Sequence, residues 1–427
     1  MAIRLKKLIP LISLALLPFA SHAGEANNAA ELSKGKYLAT AGDCTACHTV
    51  AGGKPFAGGL KMATPVGAIY STNITPDKET GIGDYTFEDF EKAMREGVAK
   101  DGHNLYPAMP YTAFAKINDE DMHALYDYFM NEVEPVKQEN RESDIPWPLN
   151  MRWPLSMWNM VFHEDTTYQP DSSQSEEWNR GAYLVQGLEH CGTCHTPRGI
   201  GFQEKALDHH DDEFLTGGTL EGWHAPDLTG NMKSGLGNWT EDDIAEFLKT
   251  GRTDGSVAFG TMAEAIEHST QYLSDADLKA MAVYLKSLKP SDANAKAPEY
   301  DNKTVEALTK GDVSQAGALE YMDNCAACHR LDGKGYAKTF PALAGNSALL
   351  SDDPSSVISV ILKGGKAPVT KEALAGMEMP GFAWRLDDQQ VAELATFIRN
   401  GWGNQAPAVT AKQVAEIRAL MDDSADK

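Results

Sequence analysis

The pentapeptide Cys-x-x-Cys-His occurs three times, as Cys44-Thr45-Ala46-Cys47-His48, Cys191-Gly192-Thr193-Cys194-His195 and Cys325-Ala326-Ala327-Cys328-His329. On one helical turn this pattern presents two thiols and an imidazole together. They can reach both vinyl groups of one porphyrin and its iron, so the pattern reads as c-type haem attachment. A thioredoxin-like thiol pair or a zinc site would be the competing reading, but neither accounts for a histidine after every second cysteine. All six cysteines of the chain lie in the motifs, which leaves none for a disulfide. The reading is three covalently bound haem c groups, held by Cys44, Cys47, Cys191, Cys194, Cys325 and Cys328. His48, His195 and His329 are then the proximal iron ligands.

The motifs begin 147 and 134 residues apart, intervals that suit consecutive small domains rather than a solenoid. Internal similarity agrees. A short helical stretch precedes each motif: Gly35-Lys36-Tyr37-Leu38, Gly181-Ala182-Tyr183-Leu184, and Gly317 with Leu319 and Tyr321. Each unit closes on an amphipathic helix whose start is read from a polar cap and first-turn carboxylates, at Asn118, Ser274 and Asp387. Units one and two match further. Phe56-Ala57-Gly58-Gly59 resembles Phe214-Leu215-Thr216-Gly217-Gly218, Asn73-Ile74-Thr75 resembles Asp227-Leu228-Thr229, and Gly81 to Thr86 resembles Gly235 to Thr240. The polar stretches His163 to Glu177 and Pro290 to Lys303 read as linkers. Domains are therefore expected at 24–165, 166–296 and 297–427, all mainly α, with the first two closer siblings than the third.

The sixth ligand of each iron is expected to be methionine, which favours the ferrous state and raises the potential. Met109, Met262 and Met379 each stand in a stretch read as a loop between a middle helix and the closing helix. Core packing is the plain alternative for any methionine, and the chain has sixteen. Repeated placement singles these three out, with Met377 and His268 as rivals. His103, His123, His209, His210 and His224 read as ordinary surface or core residues. Pro341-Ala342-Leu343-Ala344-Gly345 resembles the loop of small class I cytochromes c whose proline carbonyl orients the proximal histidine. Pro341 is thus a candidate for that role in unit three, with no counterpart assigned in the others, and the expected fold is three tandem class I-like cytochrome c domains.

Residues 1–23 read as a secretory signal, with Arg4, Lys6 and Lys7, then an apolar run, then Ser21-His22-Ala23 before the cleavage point. Beyond the leader the formal charge is −26, which makes nucleic acid an implausible partner. Trp147 to Phe162 carries Trp147, Trp153, Trp158 and Phe162, a density suited to a membrane surface or to packing between units. Val414 to Met421 reads as an ordinary surface helix.

Three such units on one exported chain resemble the cytochrome c subunit of bacterial membrane-bound sugar, sugar-acid and alcohol dehydrogenases. The resemblance is carried by Asn73-Ile74-Thr75-Pro76-Asp77 with Thr80-Gly81-Ile82-Gly83, by Tyr106-Pro107-Ala108-Met109-Pro110-Tyr111, and by Pro148-Leu149-Asn150-Met151-Arg152-Trp153-Pro154. It implies an electron-transfer subunit with no substrate site of its own. Electrons would come from a catalytic subunit, FAD-dependent as in gluconate 2-dehydrogenase or a quinoprotein as in the alcohol enzymes, and pass to ubiquinone. A small third subunit and peripheral attachment on the periplasmic side of the inner membrane are also implied. A reading of another class is a catalytic multihaem oxidoreductase, a peroxidase or thiosulfate-oxidising cytochrome, which needs an open iron position.

Overall fold

The computed structural model describes residues 33–425 except Pro65 and Glu221, so the expected leader and its cleavage after Ala23 lie outside the described residues. Helices dominate, joined by irregular segments and three two-stranded antiparallel pairs, Lys61–Thr64 with Gly67–Tyr70, Gly218–Leu220 with Trp223–Ala225, and Gly364–Lys366 with Glu378–Pro380. No helix among the described residues is long and apolar enough to cross a membrane.

Each repeat is built on a crossing between a leading helix and a closing helix. The leading helices are Lys34–Ala41, Glu176–Tyr183 and Ala318–Asn324, and the closing ones are Asp119–Asn131, Asp275–Ser287 and Asp388–Asn400. The closing helices start where the sequence places them. The Asn118, Ser274 and Asp387 side chains accept from the backbone N–H groups of Asp121, Asp277 and Gln390. A glycine sits at every crossing because the backbones nearly touch. A Cβ on Gly35, Gly181 or Gly317 would lie 2.1, 2.0 or 2.3 Å from the carbonyl oxygen of Ala124, Ala280 or Glu393, in each case the sixth residue after the cap. Gly181 stands ten residues before its motif where Gly35 stands nine before its own. The extra residue is absorbed in a π-helical turn, Leu184–Leu188, which keeps the motif in position.

The first two repeats share one continuous core, in which Leu38, Phe90, Met122, Leu125 and Phe129 meet Trp178, Leu184, Leu188, Met281 and Tyr284. They join through reciprocal bonds, as two equivalent surfaces do about a local twofold. Tyr37 Oη donates to Asp277 Oδ2 at 2.6 Å, and Tyr183 Oη donates to Asp121 Oδ2 at 2.7 Å. Lys34 meets Asp121 at 2.8 Å as Arg180 meets Asp277 at 2.8 Å. The third repeat has its own core, around Tyr321, Ile358, Leu394, Phe397 and Trp402.

Two terminal or linking segments differ from expectation or refine it. The stretch read as an ordinary surface helix lies in Ala411–Ala425, which buries Val414 and Ile417 in the third core. Arg418 pins that helix to Asp388 and to the carbonyl oxygens of Ala383 and Leu386. A narrow apolar stripe on a charged helix was enough to dock it. The helix Pro154–Phe162 divides its faces. Asn159 accepts from Tyr111 Oη at 2.7 Å and Trp158 Nε1 donates to the Gly201 carbonyl at 2.8 Å, bridging the two repeats, while Trp153, Met157, Met160 and Val161 face outward.

Candidate haem sites

The first motif forms the short helix Cys44–His48. In the second and third, Gly192–His195 and Ala326–His329 are helical, with Cys191 and Cys325 as their caps. Cys44 and Cys191 are half-buried and Cys325 is buried, whereas Cys47, Cys194 and Cys328 are exposed. Burial pushes the Cys44 and Cys325 thiols up to about 12, with a nearby acid or thiol adding to the rise. Reactive redox pairs and zinc ligands need the opposite shift, toward thiolate. Among the described residues no motif brings its two thiols and imidazole to a common point as a zinc tetrahedron requires.

All three histidines are held through one ring nitrogen. Nδ1 lies 2.7 Å from the Thr72 carbonyl oxygen for His48, 2.7 Å from that of Pro226 for His195, and 3.0 Å from that of Pro341 for His329. A carbonyl accepts only from N–H, so this contact fixes the proton on Nδ1 and leaves the Nε2 lone pair for a metal. Burial lowers all three, His195 to about 4, which keeps the rings neutral. The partner expected for His329 is in place. Thr72 and Pro226 carry the same role in the other repeats, where the sequence assigned none. Each immediately precedes the matched segments at Asn73 and Asp227, so the repeat itself held the clue.

These carbonyls are set by one scaffold used twice. The Asn73 side chain accepts from Thr75 N at 2.9 Å and the Asp227 side chain from Thr229 N at 2.7 Å. Gly58 N donates to the His48 carbonyl and Gly217 N to the His195 carbonyl, both at 2.8 Å. Phe56 N and Leu215 N each donate to the threonine after the histidine, Thr49 and Thr196, at 3.1 Å. Phe56 therefore corresponds to Leu215 and not to Phe214. Both adopt positive φ, 61° and 58°, so the repeat conserves a backbone conformation while the side chain changes.

The three methionines are all half-buried. Met109 lies in a turn, as expected, with its N–H donating to the Tyr106 carbonyl at 3.2 Å, and it packs on the core of the first two repeats. Met262 corrects the loop reading. Gly260, at φ 57°, turns the chain into the helix Thr261–His268, and Met262 stands in its first turn, also against that core. Met379 also departs from the loop reading: it sits in the strand Glu378–Pro380, opposite Gly365, where the absence of a Cβ on Gly364 lets the Met379 carbonyl approach. Of the rivals, Met377 is half-buried and its carbonyl accepts from Ala367 N at 2.8 Å, and His268 is exposed at a helix end.

Repeat two touches both neighbours close to these groups. Ser269 Oγ donates to the Ala41 carbonyl at 3.1 Å, and a Cβ on Gly42 would lie 3.5 Å from a Leu188 methyl, so the segments leading into motifs one and two abut. The Met262 and Met379 segments abut through Phe259, whose ring leaves no room for a Cβ on Gly365. The residues fit haem groups: paired cysteines, a tautomer-locked imidazole beside each pair, and a methionine-bearing segment in every repeat.

The cytochrome c family model matches residues 32–131, 179–289 and 314–402. The chain is 52% identical over 422 residues to the gluconate 2-dehydrogenase cytochrome c subunit of Pantoea cypripedii, covering 97% of this chain and 95% of that one. It is 48% identical over 417 residues to the cytochrome c subunit of the quinone alcohol dehydrogenase of Gluconobacter oxydans, covering 96% and 87%. With the fructose dehydrogenase cytochrome subunit of Gluconobacter japonicus it shares 39% over 413 residues, covering 91% and 82%.

Proposed function

This chain belongs to the cytochrome c family, and on that premise we propose that it is the electron-transfer subunit of a dehydrogenase complex of the gluconate 2-dehydrogenase type. It holds three haem c groups in class I-like domains at 24–165, 166–296 and 297–427, behind a leader at 1–23. His48 with Met109, His195 with Met262 and His329 with Met379 would hold the iron of each haem. A bound haem c would supply one-electron transfer at its iron, and a histidine with a methionine on each iron would suit conduction rather than substrate chemistry. The observation that carries this reading is the repeated lock on the proximal histidines, His48 to Thr72, His195 to Pro226 and His329 to Pro341. It presets all three rings for iron. Electrons would enter from a flavoprotein catalytic subunit, accompanied by a small third subunit, and leave to ubiquinone. A quinoprotein alcohol dehydrogenase as the parent complex is the second reading, supported by the 48% identity to such a subunit.

Attachment to the periplasmic face of the inner membrane is proposed through the outer face of Pro154–Phe162 and its approach. Trp147, Trp153 and Met160 are 78%, 63% and 78% exposed, and Ile200 and Phe202 extend the same apolar surface.

Purification of the native complex tests the assignment: a flavin-bearing catalytic subunit is expected with this chain, and a pyrroloquinoline quinone enzyme would move it to the second reading. Optically, the ferric methionine–iron band should be present for three haems and carbon monoxide should not bind the reduced protein. Carbon monoxide binding at one haem of the native complex would favour a catalytic oxidoreductase instead. Met262→Ala should remove one third of the band, and Met281→Ala, a core residue, should remove none.

A further inference from the structure

We propose that Asp208, His209 and His210 bind a transition-metal dication of the zinc class at the junction of the first and second repeats. One carboxylate oxygen and one nitrogen from each imidazole lie within 4.8 Å of one another, the only such group among the described residues. Zinc bonds of about 2.0–2.2 Å place tetrahedral donors roughly 3.3 Å apart. The difference is closed by rotation of His210, which is exposed. Two imidazoles with one carboxylate suit zinc, nickel or copper, whereas calcium and magnesium take oxygen ligands.

The donors are prepared rather than merely near. Gln186 Nε2, in a side chain buried at 5% exposure, lies 3.1 Å from His209 Nδ1 and 2.8 Å from the Tyr284 hydroxyl. Turned end for end, the amide presents Oε1 there instead, which accepts from His209 Nδ1–H and from the Tyr284 hydroxyl, and that tautomer leaves His209 Nε2 free for a metal. The edges of Trp178 and Tyr284 confine the same ring at 5.2 and 6.0 Å between centroids. Asp208 Oδ1 accepts from His210 N at 3.0 Å, so the loop folds back on itself and brings the two imidazoles to 4.2 Å between centroids, tilted by 39°.

The charges facing the cluster favour a cation. From the first repeat, Lys116 Nζ faces Asp208 at 3.4 Å, and from the linker Asp171 lies close enough to feel both imidazoles. Two carboxylates against one ammonium leave the empty site negative. A metal here would tie the linker and the first repeat to the π-helical turn that leads into the second motif.

The test uses the full, haem-loaded chain without an affinity tag, so that thioether bonds block the motif cysteines. After treatment with EDTA, equilibrium dialysis against zinc is read by elemental analysis. One zinc per chain is expected at neutral pH. His210→Ala and the double variant His209→Asn, His210→Asn should each weaken binding about tenfold or more. His210 is exposed, so its variant carries the test if the double variant does not fold. Binding should weaken in acid, where protons compete with the metal for its ligands. Absence of stoichiometric zinc, zinc retained unchanged by His210→Ala, or calcium bound as tightly as zinc would each overturn the proposal.

Discussion

The Tyr37 hydroxyl donates a 2.6 Å hydrogen bond to Asp277 Oδ2 and so reaches from the first repeat into the second. Asp277 also takes 2.8 Å bonds from Nε and Nη2 of Arg180 and is 8% exposed. Burial by itself would raise its carboxyl, but the bonds from Arg180 and Tyr37 and the guanidinium charge hold it below the usual value. Its folded-state pKa is thus below the unfolded-chain value of about 3.9. The resulting stabilisation is complete above that value and disappears as pH falls through the folded-state pKa. Asp277→Asn should cost about 1–3 kcal/mol in urea unfolding at pH 7. The gap between variant and wild type should shrink below pH 4, and a constant gap would contradict this account.

The glycine at each helix crossing gives a second prediction. A Cβ on Gly181 would meet the Ala280 carbonyl oxygen at 2.0 Å and Tyr284 Cβ at 2.9 Å, both on or next to the backbone of a helix that cannot yield. Gly181→Ala should therefore lower stability by about 3 kcal/mol, near the upper range for overpacking. Gly102, at φ 86° with open space around it, should lose only about 1 kcal/mol on the same change. Thermal unfolding of both variants decides whether contact or backbone freedom selects glycine.

How much of this was legible follows from which forces are local. The caps Asn118, Ser274 and Asp387 could be read because a side chain bonds to a backbone three residues on, within one turn of sequence. Thr72 and Pro226 carry no mark in residue type, because the acting group is a backbone carbonyl that any residue provides, and only their place before the matched segments pointed to them. The Phe56 to Leu215 correspondence was displaced by one for a related reason: a shared positive φ leaves no trace in residue type. The π-helical turn was visible only as one surplus residue between Gly181 and Cys191. The reciprocal Tyr37–Asp277 and Tyr183–Asp121 bonds join residues far apart in sequence, which no periodicity encodes.

Arg252 is one of the side chains that seat the third repeat on the second, beside Lys338 with Glu246 and Ser356 with His224. It is 7% exposed and donates to the carbonyl oxygens of Lys338, Pro368 and Ala375, all in the third repeat, with no carboxylate as partner. Burial accordingly lowers its pKa, although an arginine stays charged at any working pH. Arg252→Ala removes three bonds from a charged donor and should cost about 2–4 kcal/mol. The loss should fall on the junction, so calorimetry should resolve the third repeat as a separate, earlier transition. Arg252→Lys keeps the charge but not the fork, and should restore only part of the coupling.

The outward face of Pro154–Phe162 makes the last prediction. Trp153 and Met160 are exposed while Trp158 and Asn159 on the other face hold the helix to the protein, so the outer side chains can be changed without loosening it. If they enter a lipid surface, each should contribute on the order of 1.5 kcal/mol or more of apolar burial, about tenfold in partitioning. Trp153→Ser with Met160→Ser should then release the haem-loaded chain from neutral phosphatidylcholine vesicles by about a hundredfold in sedimentation. Added salt should change little, because the chain is strongly acidic and gains nothing from lipid charge. Unchanged vesicle binding together with loss of the catalytic subunit on purification would reassign this face from lipid to the partner protein.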